Sequence, residues 1–307
     1  MPRFVSIANI FIDDILLWDG RIYLGVLGGA GSHAVSGMRV WTGDVGLFAR
    51  AGKDLNQDHL EQLSGLGIDL SGLLFISDRT ARAWQIFQQD EKRIEIYRFS
   101  DGAKDKVTPS FEFLPPTHLT AEGFHIYWDG ELLQLKEEIR KLRTNNPSAI
   151  LVWEPAERHM HDLSGDFQFV LPTVDVFSPN HLEGAAITGN NDPLQICKIL
   201  ASWGARCVAL RMGKEGSLLR EPDGCFWRIP AYVADQPVDV TGAGNAFCGG
   251  FTVALAEGYS FFESACRAAV SASFSLEQYG MPKYDDARLP VERQLRLEWV
   301  RRHAEKL

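Results

Sequence analysis

The sequence predicts an α/β fold with a mostly parallel central sheet and helices on both faces. Apolar, often β-branched runs alternate with segments of helical periodicity, and 45% of the residues are hydrophobic, which is enough for a sizeable core. The strand-like runs are Phe4 to Ile10, Val45 to Ala51, Phe124 to Tyr127, Ala149 to Trp153, Val174 to Phe177 and Cys207 to Met212. Because helical segments separate these runs, the strands are expected to pair in parallel.

Four segments have the pattern of a helix. They are Glu131 to Leu142, Pro193 to Trp203, Ala246 to Ala256 and Phe261 to Tyr279. Gly280 and Pro282 follow the last of these segments and are normal stop signals for a helix.

Composition excludes several classes of protein. The formal net charge of −9 argues against nucleic-acid binding, which needs a basic face. There is no apolar run of about 18 residues, so no membrane span is expected. The amino-terminal segment lacks the layout of a signal peptide. The five cysteines are odd in number and form no C-x-x-C pair, which favours reduced thiols in a cytoplasmic protein.

One region interrupts the alternation of strands and helices. Ala83 to Gln89 and Ile94 to Phe99 are strand-like runs joined by four polar residues, which is a hairpin signal. Residues 1–307 are expected to form one α/β domain, with a β lid built mainly from about 80–102 and part of 13–25. A surface hairpin without a function fits the same pattern.

The segment Asp239-Val-Thr-Gly-Ala-Gly-Asn245 precedes an apolar helical run. Its turn residues Gly242, Ala243 and Gly244 let backbone N–H groups approach a ligand, and the following helix directs its positive dipole end at the same point. This arrangement predicts an anion hole for phosphoryl oxygens. The alternative is a tight loop with Asn245 as the N-cap of the helix.

Four segments, taken in order, resemble motifs of the ribokinase-like (PfkB) family of carbohydrate and nucleoside kinases. The glycine turn resembles the family's D-T-x-G-A-G-D signature. The other segments are Gly28-Gly-Ala-Gly-Ser-His-Ala34, similar to G-G-x-x-x-N-x-A, Ser178-Pro-Asn-His-Leu-Glu183, similar to P-N-x-x-E, and Leu210-Arg-Met-Gly-Lys-Glu-Gly216, similar to T-L-G-x-x-G. The resemblance implies a three-layer sandwich with a small β lid, and ATP and magnesium as cofactors.

The resemblance also implies roles for individual residues. Substrate binding falls to Asp13, Gly28, Gly29 and His33, and nucleotide binding to Asn180, Glu183, Gly213, Gly216, Asp239 and Thr241. Asn180 and Glu183 would hold magnesium through water, although Asn followed three residues later by Glu is also a helix-start signal. Arg211 stands where the family has threonine. It is interpreted either as a phosphate contact or as a solvated charge at a strand end.

Asn245 is the main departure from the family pattern. The family's aspartate at this position is the general base, and an amide cannot take a proton near neutral pH. A general base typically contributes about 10²–10⁴-fold in rate. His33 replaces an asparagine of the family and is a candidate substitute base. The segment Val152 to Arg158 resembles the family's D-x-N-x-R pattern, but Glu154 and Ala156 alter it.

The first functional hypothesis is an ATP- and magnesium-dependent kinase that acts on a sugar or small polyol, slow because Asn245 replaces the base. The alternative is a nucleotide- or sugar-binding pseudokinase that acts through partners, and a nucleoside kinase with an unfamiliar base stays open. Asn245→Asp is expected to restore the base, in a positive field that favours its ionised form. A homodimer through the lid is a further expectation.

Overall fold

The computed structural model describes residues 1–89, 93–98, 108–162, 164–232 and 238–307. Within these ranges the strands are β1 Phe4–Ile7, β2 Phe11–Leu16, β3 Ile22–Gly28, β4 Val45–Gly52, β5 Asp69–Ser77, β6 Ala81–Phe87, β7 Arg93–Tyr97, β8 Gly123–Trp128, β9 Ile150–Pro155, β10 Val176–Phe177, β11 Val208–Arg211, β12 Ser217–Arg220, β13 Phe226–Ile229 and β14 Glu305–Lys306. The helices are α1 Ala30–Arg39, α2 Gln57–Gly65, α3 Pro116–Leu119, α4 Leu132–Asn145, α5 Phe167–Val170, α6 His181–Thr188, α7 Pro193–Ser202, α8 Ala243–Ala256, α9 Phe261–Ser275 and α10 Leu289–His303.

The main sheet has the strand order β14-β13-β12-β11-β10-β9-β8-β1-β4-β5. The strands from β11 to β5 in this order pair in parallel, and β12, β13 and β14 add an antiparallel edge. The predicted mostly parallel sheet is therefore confirmed. Since the carboxyl ends of parallel strands meet at one edge, the residues after β1, β8, β9, β10 and β11 come together there.

Helices cover the main sheet on both faces. Residues of α4, α5 and α7 pack with one set of alternating strand side chains, among them Phe124 and Trp153. Residues of α8, α9 and α10 pack with the opposite set, among them Val152 and Ala209. Each face thus buries its own apolar core, and the three-layer arrangement is confirmed.

A second sheet, called the small sheet here, has the order β3-β2-β6-β7. β2 pairs with β3 antiparallel, with β6 in parallel, and β6 pairs with β7 antiparallel. The hairpin of the sequence prediction is β6 and β7, and it lies outside the main sheet. Of the predicted lid, Phe99 and residues 100–102 lie outside the described residues, as do 90–92 in the hairpin connection.

Three predicted helix boundaries are wrong, and the first is the end of α4, which runs to Asn145 and not to Leu142. The helix predicted to run to Tyr279 ends at Ser275, because the chain turns there and the Leu276 carbonyl accepts a hydrogen bond from the Val238 N–H (2.6 Å). The helix predicted from Ala246 begins three residues earlier, at Ala243.

All five cysteines are free in the structure, and all but Cys225 are buried. None of the helices in the described ranges is both long enough and apolar enough to cross a membrane.

Candidate active site

The glycine turn begins α8 at the carboxyl edge of the main sheet. Gly242 is the N-cap residue, with a left-handed φ of 77° that favours glycine. A Cβ at Gly242 would lie 2.1 Å from the His33 ring, so the imidazole packs directly against the turn. Asn245 is the third residue of the helix and not its N-cap, so the capping interpretation of Asn245 is wrong.

The first N–H groups of α8 supply the donors of the predicted anion hole. Ala243 N–H donates to Val240 O at 3.4 Å, a long turn bond. In the part of the chain that the structure describes, the N–H groups of Gly242, Gly244 and Asn245 have no acceptor. These groups, with the positive end of the helix dipole, form a site suited to an anion.

Backbone contact between α1 and α8 brings the two glycine-containing segments together. A Cβ at Gly37 would lie 2.1 Å from Ala246 O, and one at Gly249 would lie 2.1 Å from Ala34 O. The two helices therefore touch backbone to backbone. As a consequence, His33 on α1 reaches the turn at the start of α8.

Arg211 ends β11 and lies beside the turn. Its Nη1 is 2.7 Å from Glu154 Oε1, and its Nη2 donates to Ser178 O (2.9 Å) and to Glu183 Oε2 (3.3 Å). The side chain is only 11% exposed, so the interpretation as a solvated charge is wrong. A Cβ at Gly244 would lie 2.0 Å from Nη1, so the guanidinium rests on the helix start.

Glu154 joins Arg211 to Asn245. Asn245 Nδ2 donates to Glu154 Oε2 at 2.9 Å, and His125 Nε2 lies 3.1 Å from the same oxygen. Burial alone would raise the pKa of Glu154, but the Arg211 charge, helped by His125 and Asn245, lowers it to about 2. Glu154 is therefore ionised at neutral pH and lies next to the position where the family has its base.

Asn180 and Glu183 form a capping box at the start of α6. Asn180 Oδ1 accepts from Glu183 N–H at 2.9 Å, and Glu183 Oε2 accepts from Asn180 N–H at 2.7 Å. Burial raises the pKa of Glu183 to about 7 against the lowering effect of Arg211, and repulsion from Glu154 adds to the rise. The capping interpretation is thus correct for the geometry, and it does not exclude a role toward magnesium.

The capping box leaves donor atoms that suit a hydrated cation. Within the described ranges, the hydrogen bonds that the Glu183 carboxylate accepts all go to Oε2. This leaves Oε1 for the water shell of a cation. Oxygen ligands that act through water are what magnesium prefers. The residues present therefore fit the magnesium role that the resemblance implies.

Asp13 and Asp14 are neighbours on β2, and their side chains lie on opposite faces of the small sheet. Asp13 is 4% exposed, and its Oδ1 accepts from Gln85 Nε2 at 3.4 Å. A Cβ at Gly28 would lie 1.9 Å from Asp13 Oδ2, so the carboxylate rests on the glycine backbone. Asp14 instead accepts a hydrogen bond from Gly25 N–H (2.9 Å) and forms an ion pair with Arg98, the residue after β7. Asp13 is thus the inward-facing carboxylate, as the sequence comparison favours.

The remaining predicted site residues form turns at the same edge. Gly29 is the N-cap of α1 with φ 88°, and Gly213 and Gly216 flank a single 3₁₀ turn with φ 59° and 86°. Asp239 Oδ1 accepts from Thr241 N–H at 2.8 Å, which fixes the glycine turn. Contact of these residues with a nucleotide stays a prediction.

Three residues of this region were missed by sequence reasoning. Gln85 bridges Asp13 and Glu95 of the small sheet, and Asn9 Oδ1 accepts from Ala30 N–H (2.8 Å) at the start of α1. No sequence motif marks His125, because its partner Glu154 is 29 positions away in the sequence, on the neighbouring strand. A search for polar residues within the predicted strands could have found all three.

His125, Glu154 and Cys248 offer ligand atoms within 4.8 Å of one another, all buried. Burial raises the pKa of the Cys248 thiol far above neutral pH, so the thiol stays protonated. The Glu154 oxygens already receive Arg211, His125 and Asn245. The cluster is therefore better described as an internal hydrogen-bond network than as a metal centre.

This fold is shared with known kinases. The ribokinase of Arabidopsis thaliana, solved with ribose and ATP, superposes with a TM-score of 0.75 at 20% identity, covering 95% of this chain and 99% of that chain. An E. coli chain solved with ATP and Mg²⁺ gives a TM-score of 0.76 at 16% identity, covering 96% of this chain and 100% of that chain. The fold is thus the ribokinase-like α/β fold.

The family follows from the sequence match. The profile of the pfkB family carbohydrate kinases matches residues 25–283. This chain belongs to that family of phosphotransferases. A cytidine kinase of Thermococcus kodakarensis is 27% identical over 262 residues, which cover 84% of this chain and 90% of that protein.

Proposed function

We propose that this protein transfers the γ-phosphoryl group of ATP to a hydroxyl of a small sugar or related polyol. The observation that carries the proposal is the group of acceptor-free N–H donors at the start of α8, beside Arg211 and packed against α1, whose preceding Gly28 contacts the Asp13 carboxylate. Phosphoryl transfer depends mainly on positioning and charge stabilisation, which such a site supplies.

Phosphate oxygens bind to the N–H groups of Gly242 and Gly244 in this proposal. Arg211 adds a positive charge next to these donors. Its buried Nε has no hydrogen-bond partner among the described residues, so a donor remains for a phosphate oxygen. Charge-assisted hydrogen bonds of this kind are stronger than neutral ones.

Asn180 and Glu183 would hold magnesium through water. Magnesium, when bound, neutralises charge on the phosphates. The turn around Gly213 and Gly216, with Asp239 and Thr241, binds the nucleotide in this assignment. The bound kinase structures with ATP support ATP as the donor, because this chain shares their fold.

The acceptor lies between the main sheet and the small sheet, with Asp13 and His33 on its contact surface. A carboxylate such as Asp13 accepts hydrogen bonds from sugar hydroxyls. Gly28 and Gly29 allow close approach of the backbone. Ribose and cytidine, named for the relatives, share a ribose ring, so both classes of acceptor belong in a substrate screen.

A binding protein without turnover is the second candidate. The observation that favours it is the Asn245 amide, which donates to Glu154 and cannot accept a proton. Arg211 is also already paired with two carboxylates. His33, which packs against Gly242, is the substitute base to test if turnover is robust.

The small sheet acts as the lid in this proposal, within a single domain of residues 1–307. Its inward face carries Asp13, Gln85 and Tyr97, and Tyr97 Oη donates to Glu157 in the segment after β9 (3.4 Å). This bond joins the small sheet to the main body. Closure of such a sheet would exclude water from the transferred phosphoryl group.

A thermal-shift measurement with magnesium-ATP tests the phosphate site. The wild type and Gly43→Val, whose new side chain meets nothing within 4 Å, should be stabilised, because a ligand that prefers the folded state raises the Tm. Gly244→Val places a side chain on Arg211 and should lose most of that shift. Equal shifts in all three proteins would contradict the assignment, and no shift in the wild type would remove ATP as the ligand.

A further inference from the structure

The relation between Glu154 and Asn245 explains more than the loss of a base. Glu154 follows Trp153 near the carboxyl end of β9, and Tyr127 of β8 is its register partner. His125, two residues earlier on β8, bonds to Glu154 Oε2 and also to Ser6 Oγ of β1 (3.0 Å). Two buried polar side chains on adjacent strands, His125 directly and Ser6 through His125, therefore hold the carboxylate in place.

Asn245 contributes the remaining bond to the same oxygen. Its Nδ2 donates to Glu154 Oε2, so its Oδ1 is the atom left to accept a hydrogen bond from an acceptor hydroxyl. An amide so oriented positions a hydroxyl without taking its proton. The orientation requires an acceptor at 154.

An aspartate at 245 would meet a second carboxylate at hydrogen-bond distance. Two like charges so close cannot both ionise without a large cost, and one of the two has to bind a proton. The sequence-based expectation of a positive field that favours an ionised aspartate did not include the Glu154 carboxylate, which opposes that ionisation. Arg211 does supply positive charge, but it is already paired with Glu154.

We propose that Glu154 is a positioning residue that carries the site's displaced carboxylate, holding Arg211 against the start of α8 and fixing the Asn245 amide toward the acceptor hydroxyl. The positioning role rests on the proposed kinase function, whereas the hydrogen-bonded pairing of Glu154 with Asn245 rests on geometry alone. Residues 154 and 245 are thus a matched carboxylate–amide pair. Exchanging the two groups together should be tolerated better than changing Asn245 alone.

The charged and titratable groups around Glu154 define the pH dependence expected of this pair. They are His125 and Tyr127 on β8, Glu183 on α6, Arg211 at the end of β11 and Cys248 on α8. A second carboxylate at 245 adds repulsion, which raises the pKa of the pair in the folded state. The added penalty is then absent at low pH and grows as the pH rises toward neutrality.

The test uses the full chain and five variants: Asn245→Asp, Glu154→Gln, Glu138→Gln, and the double variants Glu154→Gln/Asn245→Asp and Glu138→Gln/Asn245→Asp. Glu138 is a buried carboxylate that caps Phe111 N–H (2.9 Å) away from this site, so it reports generic effects of neutralising a buried glutamate. Melting temperatures are measured without nucleotide between about pH 4.5 and pH 8. Release of ADP from magnesium-ATP is measured with the acceptors of the substrate screen and with water.

Asn245→Asp should lose several degrees of Tm at pH 8 relative to the wild type and recover most of this loss near pH 4.5. The Glu154→Gln/Asn245→Asp variant should regain most of the pH 8 loss, because the glutamine amide introduced at position 154 donates to the new carboxylate. It should also release ADP at least about tenfold faster than Asn245→Asp, since its carboxylate stands ionised on α8. Glu138→Gln should combine additively with Asn245→Asp at every pH.

A pH-independent Tm for Asn245→Asp, or additive effects of the two exchanges, would overturn the pairing. Restored stability with no gain in ADP release over Asn245→Asp, in a protein that turns over, would overturn the positioning role. If neither the wild type nor any variant releases ADP from magnesium-ATP but the stability coupling is present, the kinase proposal and the positioning role fail and the carboxylate–amide pairing stands.

Discussion

Glu183 is a single carboxylate whose charge state depends on the whole site. Burial and the nearby Glu154 charge raise its pKa to about 7, although Arg211 opposes this. Arg211 lies closer to Glu154 (2.7 Å) than to Glu183 (3.3 Å), so the two carboxylates respond differently to the same cation. Arg211 therefore pairs with two carboxylates, and Glu183, the more weakly paired of the two, stays protonated to a higher pH.

The first prediction concerns Glu183→Gln. The folded pKa of Glu183 is above its ordinary value of 4.5, so its contribution to stability is complete below about pH 4.5 and is lost as the pH rises to about 7. At about 1.4 kcal/mol per pKa unit, the loss is on the order of 3 kcal/mol. Glutamine keeps the capping box but does not titrate, so the variant's stability should vary less over this interval. Urea unfolding at several pH values measures it, and parallel curves would contradict the assignment.

For single residues, the sequence predicted which residue types occupy the site better than it predicted which side chains they contact. Asn245 was recognised as an amide at the position of a base, because a contiguous motif marks that position. Its bond to Glu154 was not foreseen, because the two residues are 91 positions apart and meet only through the packing of α8 on β9. Arg211 was similarly placed at a strand end, but its burial between two carboxylates depends on three separate elements.

At the scale of elements, the site depends on the close packing of α1 against α8. Gly37 and Gly249 remove side chains from the contact, so each helix approaches the backbone of the other. This approach brings His33 to the glycine turn. A change that separates the helices is therefore expected to disturb both stability and phosphate binding.

Gly249→Ala tests this contact. The added Cβ would lie 2.1 Å from Ala34 O, a backbone atom that cannot move independently of α1. Overpacking of this kind should cost about 1–3 kcal/mol, which exceeds the gain of up to about 1 kcal/mol from replacing glycine in a helix. Gly65→Ala, which meets nothing within 4 Å at the end of α2, is the control and should be neutral or stabilising. Equal unfolding free energies for the two variants would contradict the account.

The apolar runs predicted the central parallel strands because buried strands need apolar residues on both faces. β2 was not recognised as a strand, since Asp13 and Asp14 interrupt its apolar pattern. Both aspartates nevertheless lie in the strand, Asp13 facing inward and Asp14 bonded on the other side. Local patterns therefore locate a core strand well and a strand with functional polar residues poorly.

At the scale of the whole molecule, the outer face of the small sheet is apolar and exposed. Ile22, Leu24, Trp84, Ile94 and Ile96 are between 41% and 73% exposed. Trp84 and Ile96 are register partners on neighbouring strands, so their side chains form a continuous surface. We propose that a second copy of the chain packs on this face through its own small sheet, which would bury the apolar surface of both copies.

Substitution of Ile96 by aspartate should convert a dimer to a monomer, because it places a charge on the apolar face beside Trp84. Sedimentation velocity at micromolar concentration measures the change. Val291→Asp is the matched control, since Val291 is 62% exposed on α10, and it should leave the dimer intact. A wild type that sediments as a monomer at these concentrations would contradict the dimer proposal and leave the lid role unaffected.

The central claim is that the start of α8 is a phosphoryl-transfer site and not only a binding site. Acceptor-dependent release of ADP from magnesium-ATP, measured for the wild type and Gly244→Val with ribose, cytidine and other polyols, tests it most directly. At least one acceptor should raise ADP release by the wild type above the rate with water, and Gly244→Val, which displaces Arg211, should abolish this increase. A wild type that is stabilised by magnesium-ATP but releases ADP no faster with any acceptor would contradict the kinase and favour the binding protein.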